Sequence, residues 1–239
     1  MTWELAYKIG VEMLQIWKPY AFPSPFNVFE SIYLLAKDNT LFIAIGASMK
    51  RLLIGYGISL VIGVLVGLFI VRYKYIGENL SSLILGLQTL PSICWLPFAI
   101  LWYGLDERSI IFVIAMGSMF AIAIATESSI KNVHPLYVKA AQTMGAKGSK
   151  LYLNVIFPAS LPTMIGGMKQ GWSFAWRALM AGEMLSATKG LGQVLMVGRE
   201  LADISQVMAV MIIIIIIGLI LDKIVFGKIE ESVRQRWGL

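Results

Sequence analysis

Ionisable and amide side chains stand inside two stretches that are otherwise apolar enough to cross a bilayer, and any chemistry at membrane depth falls to them. Between Leu161 and Leu185 the chain carries Lys169, Gln170, Arg177 and Glu183. Charges at that depth are costly, so they face protein or water rather than lipid. Lys169, Ser173 and Arg177 are four residues apart and share one helical face. That face attracts an anion, is neutralised in structural ion pairs, or lets Lys169 snorkel to the interface. Glu183, six residues after Arg177, lies on a different side, where it neutralises Arg177 or Lys169 on a neighbouring helix or lines a pore. Gln88 and Thr89 stand just before Pro91 in a second apolar stretch. These four, Gln88, Lys169, Arg177 and Glu183, are the candidates for lining a translocation path.

Other chemistry is poorly supported. The single histidine, His134, has no carboxylate or cysteine spaced to complete a metal site, and it reads as a solvated turn residue or a contact. Cys94, the one cysteine, rules out an internal disulfide and reads as a buried small apolar group. Gly145-Ala-Lys-Gly148-Ser-Lys150 lacks the Gly-x4-Gly-Lys-Ser/Thr spacing of a nucleotide-binding loop and has no strand before it. Gly190-Leu191-Gly192 lacks the third glycine of a dinucleotide site. Neither an activated nucleophile nor a metal cluster is visible. If ATP is used, another polypeptide binds it.

The elements that position these groups are membrane helices. The chain has 239 residues, 58% hydrophobic and 14% charged, with a strongly positive mean hydropathy. This is the composition of a polytopic membrane protein. A net charge of +6 in so apolar a chain marks cytoplasmic loops rather than nucleic-acid binding. Five stretches read as spans: Leu52–Val71, Leu80–Tyr103, Ser109–Thr126, Leu161–Leu185 and Ile204–Leu221. Pro91 and Pro97 divide the second, which predicts a kinked or broken helix with Gln88 and Thr89 near the break. In the first, Gly55, Ser59, Gly63 and Gly67 fall every fourth residue and form a small-residue stripe. Such stripes let backbones approach closely, here against a helix of the same chain or a second subunit. Glu4, Lys8 and Glu12 recur on one face near the N-terminus, which predicts an interfacial helix rather than a span. Asn27–Lys37 reads as another short amphipathic surface helix.

Between the third and fourth spans lies a polar insert, Lys131–Pro158. Leu136 to Gly145 holds helix formers and ends on a glycine suited to a C-cap. A second helical start follows at Gly148-Ser149, and Pro158 and Pro162 suit the first turn of the next span. The pattern predicts a helix–Gly–helix projection with Ala140 and Ala141 at its centre, where another protein's surface could approach closely. Lys and Arg are biased to one side of the membrane. The segments 72–78, 127–152 and 222–239 hold 2, 4 and 4 of them, against 1 and 2 in segments 104–108 and 186–205. This places the insert and the C-terminus in the cytoplasm.

The insert resembles the EAA loop of the permease subunits of ATP-binding-cassette (ABC) importers. Lys139-Ala140-Ala141, three residues, Gly145, nine residues and Val155-Ile156-Phe157-Pro158 keep the family's Ala-Ala, Gly and Pro. They depart from it at Lys139 for Glu, Val155 for Ile and Phe157 for Leu. Leu90–Ile111 and Ala181–Gly192 (AGEMLSATKGLG) are similar to the nitrate/sulfonate/taurine/bicarbonate branch, as are Trp3-Glu4-Leu5 and Pro23-Ser24-Pro25. The family usually has six spans, of which five are found here.

The resemblance implies an all-α, type I ABC-importer permease-like fold in the cell membrane. Its domains would be an N-terminal interfacial or periplasmic segment (1–50), a transmembrane permease domain (51–227) that includes the coupling loop 131–158, and a cytoplasmic tail (228–239). It also implies a second permease copy, cytoplasmic ABC ATPase subunits and an extracytoplasmic solute-binding protein. No cofactor is expected on this chain, with ATP bound by the partner. Lys139, Ala140, Ala141, Gln142, Gly145 and Lys147 would meet the ATPase, and the solute would be a small anion. A self-contained channel or secondary transporter is the alternative.

Overall fold

The computed structural model describes residues 2–14, 18 and 22–237, and among these residues every regular element is helical. The chain opens with α1 (Thr2–Tyr7), which runs into a π-helical turn, and then α2 (Pro25–Lys37). Ser24 caps α2 by accepting from the Asn27 N–H at 3.2 Å, and Pro25 presets its first turn. The expected face of Glu4, Lys8 and Glu12 is partly met by a Glu4–Lys8 pair at 3.7 Å; the neighbouring residues 15–17 and 19–21 lie outside the described ones.

The first span is much longer than its apolar stretch. α3 (Thr40–Arg72) is one helix of 33 residues, so a domain boundary at residue 50 falls inside it. Lys50 and Arg51 sit within α3 rather than before it. Arg51 is tolerated there because it is paired with carboxylates on other helices.

The second span breaks as its prolines predict. α4 (Lys74–Gln88) stops at Gln88, Pro91 precedes a short 3₁₀ turn (Ser92–Trp95), and α5 (Leu96–Tyr103) leaves at 99° to α4. Pro97 does not kink anything, since it occupies the first turn of α5, where a missing N–H costs nothing. Cys94 lies in the 3₁₀ turn and is exposed, not buried. The break turned it outward.

α6 (Glu107–Lys131) is the hub of the fold, with α3 along one side and the later α9 along another. After the insert, α9 (Phe157–Leu185) is followed by α10 (Leu191–Glu200), α11 (Ile204–Leu221) and α12 (Lys228–Trp237). α11 and α12 are joined by a π-helical stretch, Asp222–Gly227, and Phe226 from that stretch is buried with Tyr56 and Trp172. The charged tail is thus a helical continuation tied back to the core. Among the described residues, four helices are long and apolar enough to cross a bilayer, or five if the bent pair counts as one span.

The small-residue stripe packs within the chain. Cβ atoms at Gly55, Gly63 and Gly67 would lie 2.7, 2.8 and 2.6 Å from Ile114, Met119 and Thr126 of α6. Ser59 fills the remaining position and donates to the Gly55 carbonyl at 2.8 Å, while Ser118 Oγ donates to Ser59 Oγ at 2.6 Å. The other face of α6 meets Gly171 and Gly182 of α9 at Ile122 and Ile110. Between membrane helices, this close packing replaces a hydrophobic driving force that lipid does not supply.

Candidate functional site

The polar insert forms an exposed helical knuckle. His134 Nδ1 accepts from the Leu136 N–H at 3.2 Å and Pro135 occupies the first turn, so the two residues start α7 (Pro135–Thr143). His134 is a cap as well as a solvated turn residue. At the other end Gly145, with φ +88°, donates its N–H to the Gln142 carbonyl at 3.0 Å, and Ala146 donates to the Ala141 carbonyl at 2.9 Å. This is a Schellman cap, which needs a left-handed residue at the position Gly145 holds. Gly148 also has positive φ, +56°, and begins α8 (Gly148–Leu151).

α8 is not a separate element. A π-helical stretch, Tyr152–Ile156, carries it into α9, so one helical run of 38 residues extends from Gly148 to Leu185. Pro158 sits in the first turn of α9, and Pro162 lies inside it without ending it. The expected helix–Gly–helix pattern is present, but its second helix is the foot of the next span.

Of the loop residues expected to meet an ATPase, Lys139, Ala140, Gln142, Gly145 and Lys147 are exposed and Ala141 is half-buried. Helical spacing puts Leu136, Tyr137, Ala140 and Ala141 on one side of α7, and Met144, its C-cap, extends that side. Leu136 is 64% exposed, Tyr137 58% and Met144 87%. These three large apolar residues were not among the expected contacts. Their signal, the spacing Leu136, Ala140, Met144, was present in the sequence.

The membrane-depth charges separate into two kinds. Glu183, expected near Arg177 or Lys169 or on a pore wall, is wholly buried and does neither. Its carboxylate pairs with Arg51 Nη1 at 2.8 Å, lies 2.8–2.9 Å from Ser48 Oγ and accepts from the Gly192 N–H at 3.0 Å. Ser48 Oγ in turn accepts from the Leu191 N–H at 3.0 Å. Arg51, 2% exposed, also reaches Glu107 at 3.1 Å, and Lys50 meets Glu107 from the solvent side at 3.2 Å. The two cations and two carboxylates balance.

The Gly190-Leu191-Gly192 motif is the wall of this pocket. A Cβ on Gly190 would fall on the Glu183 carboxylate, and one on Gly192 would lie 2.7 Å from Glu183 Cβ. Glycine is required here because the backbone approaches so closely. The clasp holds α3, α6, α9 and α10 together at the end of the bundle away from the insert.

Lys169 is also spent in a pair, with Asp222 at 3.0 Å. Arg177 is different. Its guanidinium lies 4.7 Å from the Phe174 ring centre and its Nε–H donates to the Ser173 carbonyl at 3.2 Å, but no carboxylate pairs with it among the described residues. Gln88 sits at the end of α4, and its buried side-chain oxygen has no partner among the described residues.

Comparison with known proteins agrees with this architecture. Residues 59–234 match the family described as the binding-protein-dependent transport system inner membrane component. The chain is 30% identical over 236 residues to SsuC of Escherichia coli strain K12, named as an aliphatic sulfonates transport permease protein, covering 99% of this chain and 87% of SsuC. It is 30% identical over 212 residues to the nitrate import permease protein NrtB of Synechocystis, covering 85% and 77%. Its fold matches the MetNI methionine ABC transporter in inward-facing form, with a TM-score of 0.69 at 19% identity, over 81% of this chain and 96% of that one. Long spans, a broken helix, an exposed interhelical knuckle and a family match over most of its length together make this chain a member of the inner-membrane components of binding-protein-dependent ABC transport systems.

Proposed function

We propose that this permease subunit couples to a separate cytoplasmic ATPase through α7, and that it conducts a small anion delivered by an external binding protein. The observation that carries the coupling is the apolar side of α7. A helix on a short projection that exposes Leu136, Tyr137 and Met144 around two alanines is built for a partner, since aromatic and large apolar anchors around small residues make good contact sites.

Mechanism then reduces to leverage. The cap at Gly145 fixes the angle between α7 and α8, and α8 is continuous with α9. A partner that shifts α7 therefore acts on the foot of a helix reaching the far end of the bundle. Rocking of such a body between two arrangements exposes the path to alternate sides. Two copies of the permease, two ATPases and one binding protein complete the reading. The relatives named for sulfonates and for nitrate both concern anions, which supports an anionic solute here.

The test is biochemical. The chain should co-purify with a P-loop ATPase and show no ATP turnover alone; hydrolysis by the purified chain would end the reading. In intact cells, Lys147→Cys should label only from the cytoplasm and Lys189→Cys only from outside. The reverse pattern would invert the topology.

A further inference from the structure

One side of α9 is polar and uncovered. Thr163, Gly166, Gln170, Ser173 and Arg177 are all exposed, and their spacing of three and four puts them in one line along the helix. A different side, with Gly167, Gly171, Ala175, Ala178 and Gly182, is packed on α6. Arg177 lies eight residues before Leu185, about 12 Å along the helix, so this line runs through bilayer depth. An amide, two hydroxyls and an arginine are not a surface that lipid accepts.

A second feature lies at the same depth as the line. The break after α4 leaves Thr89, Leu90 and Pro91 exposed. Irregular backbone inside a membrane is tolerated where it is buried in protein or lines a wet cavity, and the described residues of this chain do not bury it. Its level is set by Gly117 of α6, where an added Cβ would lie 2.9 Å from both Ser92 Cβ and Ala178 Cβ. Ser92 follows the break and Ala178 follows Arg177.

Resting on the permease reading above, we propose that the α9 line and the α4–α5 break form the wall of the solute path, and that Arg177 is its anion-selecting residue. The other membrane-depth cations are excluded by their partners, since Lys169 is paired with Asp222 and Arg51 with Glu183 and Glu107. Among the described residues, no carboxylate compensates the charge of Arg177. Phe174 holds one face of the guanidinium, and the terminal nitrogens, which bond to no described residue, form the planar fork that suits an oxyanion.

The test does not need the solute. In a Cys94→Ser background of the permease assembled with its ATPase, Gln170→Cys and Ser173→Cys are exposed to two thiosulfonate reagents, one carrying a sulfonate and one a quaternary ammonium. Lys189→Cys serves as the external reference and Leu65→Cys, on the apolar face of α3, as the lipid-facing control. Residues 170 and 173 should react and residue 65 should not. Normalised to residue 189, the anionic reagent should be favoured at residue 173 by roughly tenfold, the scale of one nearby unit charge in a partly solvated site. Arg177→Gln should abolish that preference and Arg177→Lys should retain it. With the ATPase still bound, inert cysteines at 170 and 173, or reaction without a charge preference that depends on residue 177, would overturn this proposal and leave the permease reading intact. An ATPase that does not bind the parent chain would overturn both.

Discussion

At the scale of single residues, the Glu183 carboxylate is held from two distant parts of the chain, by Ser48 and Arg51 of α3 and by the Gly192 N–H of α10. Removing it leaves the Arg51 guanidinium, 2% exposed, with Glu107 as its one counter-charge among the described residues. A buried pair broken on one side costs about 3–5 kcal/mol, whereas replacing both partners by apolar residues is far milder. Glu183→Met and Arg51→Met should therefore each lower the thermal unfolding midpoint of the purified protein strongly. The double variant should be more stable than either single one, a non-additivity that a thermal melt in detergent reads directly. If the effects simply add, the clasp is not an energetic unit. Little of this was legible in the sequence. The Gly190-Leu191-Gly192 motif was visible, but its reason is the space taken by the Glu183 side chain. Arg51 fell outside the span that begins at Leu52, since apolar windows end where charge begins, and its partner is 132 residues away.

Among elements, the α3–α6 contact makes the most specific demand on sequence. Gly63 faces the α6 backbone with no room for a Cβ, whereas Gly57 has nothing within 4 Å of where its Cβ would be. Gly63→Leu should push the helices apart and sharply reduce the amount of folded permease in the membrane. Gly57→Leu should accumulate normally. Equal behaviour of the two in quantitative blots of the membrane fraction would contradict the packing described here. The stripe itself was readable from its spacing of four, but a periodicity names a face and not its partner. The broken span was readable because proline removes a backbone donor, and the structure adds that Pro91 breaks the helix while Pro97 begins the next. The second loop helix was misjudged in extent, since glycine and two prolines resemble a boundary even where a π-helical turn carries the chain through.

For the molecule as a whole, the claim is that an exposed knuckle on one side of the membrane drives helices that reach the other. Its outline was legible because hydropathy marks spans and the Ala-Ala…Gly…Pro spacing marks the loop. The apolar side of α7 emerged only once Leu136, Tyr137 and Met144 were seen to be uncovered. Two substitutions probe the claim at its contact and at its angle. Ala141→Glu adds bulk and charge where a partner must approach. Gly145→Val forces a β-branched residue into positive φ, a strain of roughly 1–3 kcal/mol that an exposed turn relieves by moving α7 rather than by unfolding the spans. The most direct measurement is the amount of ATPase retained by purified Ala141→Glu and Gly145→Val permease, taken together with solute uptake. The account predicts near-normal permease levels in the membrane, weakened ATPase retention and impaired uptake for both. Parental uptake with the ATPase fully retained in both variants would show that α7 is not where the energy enters.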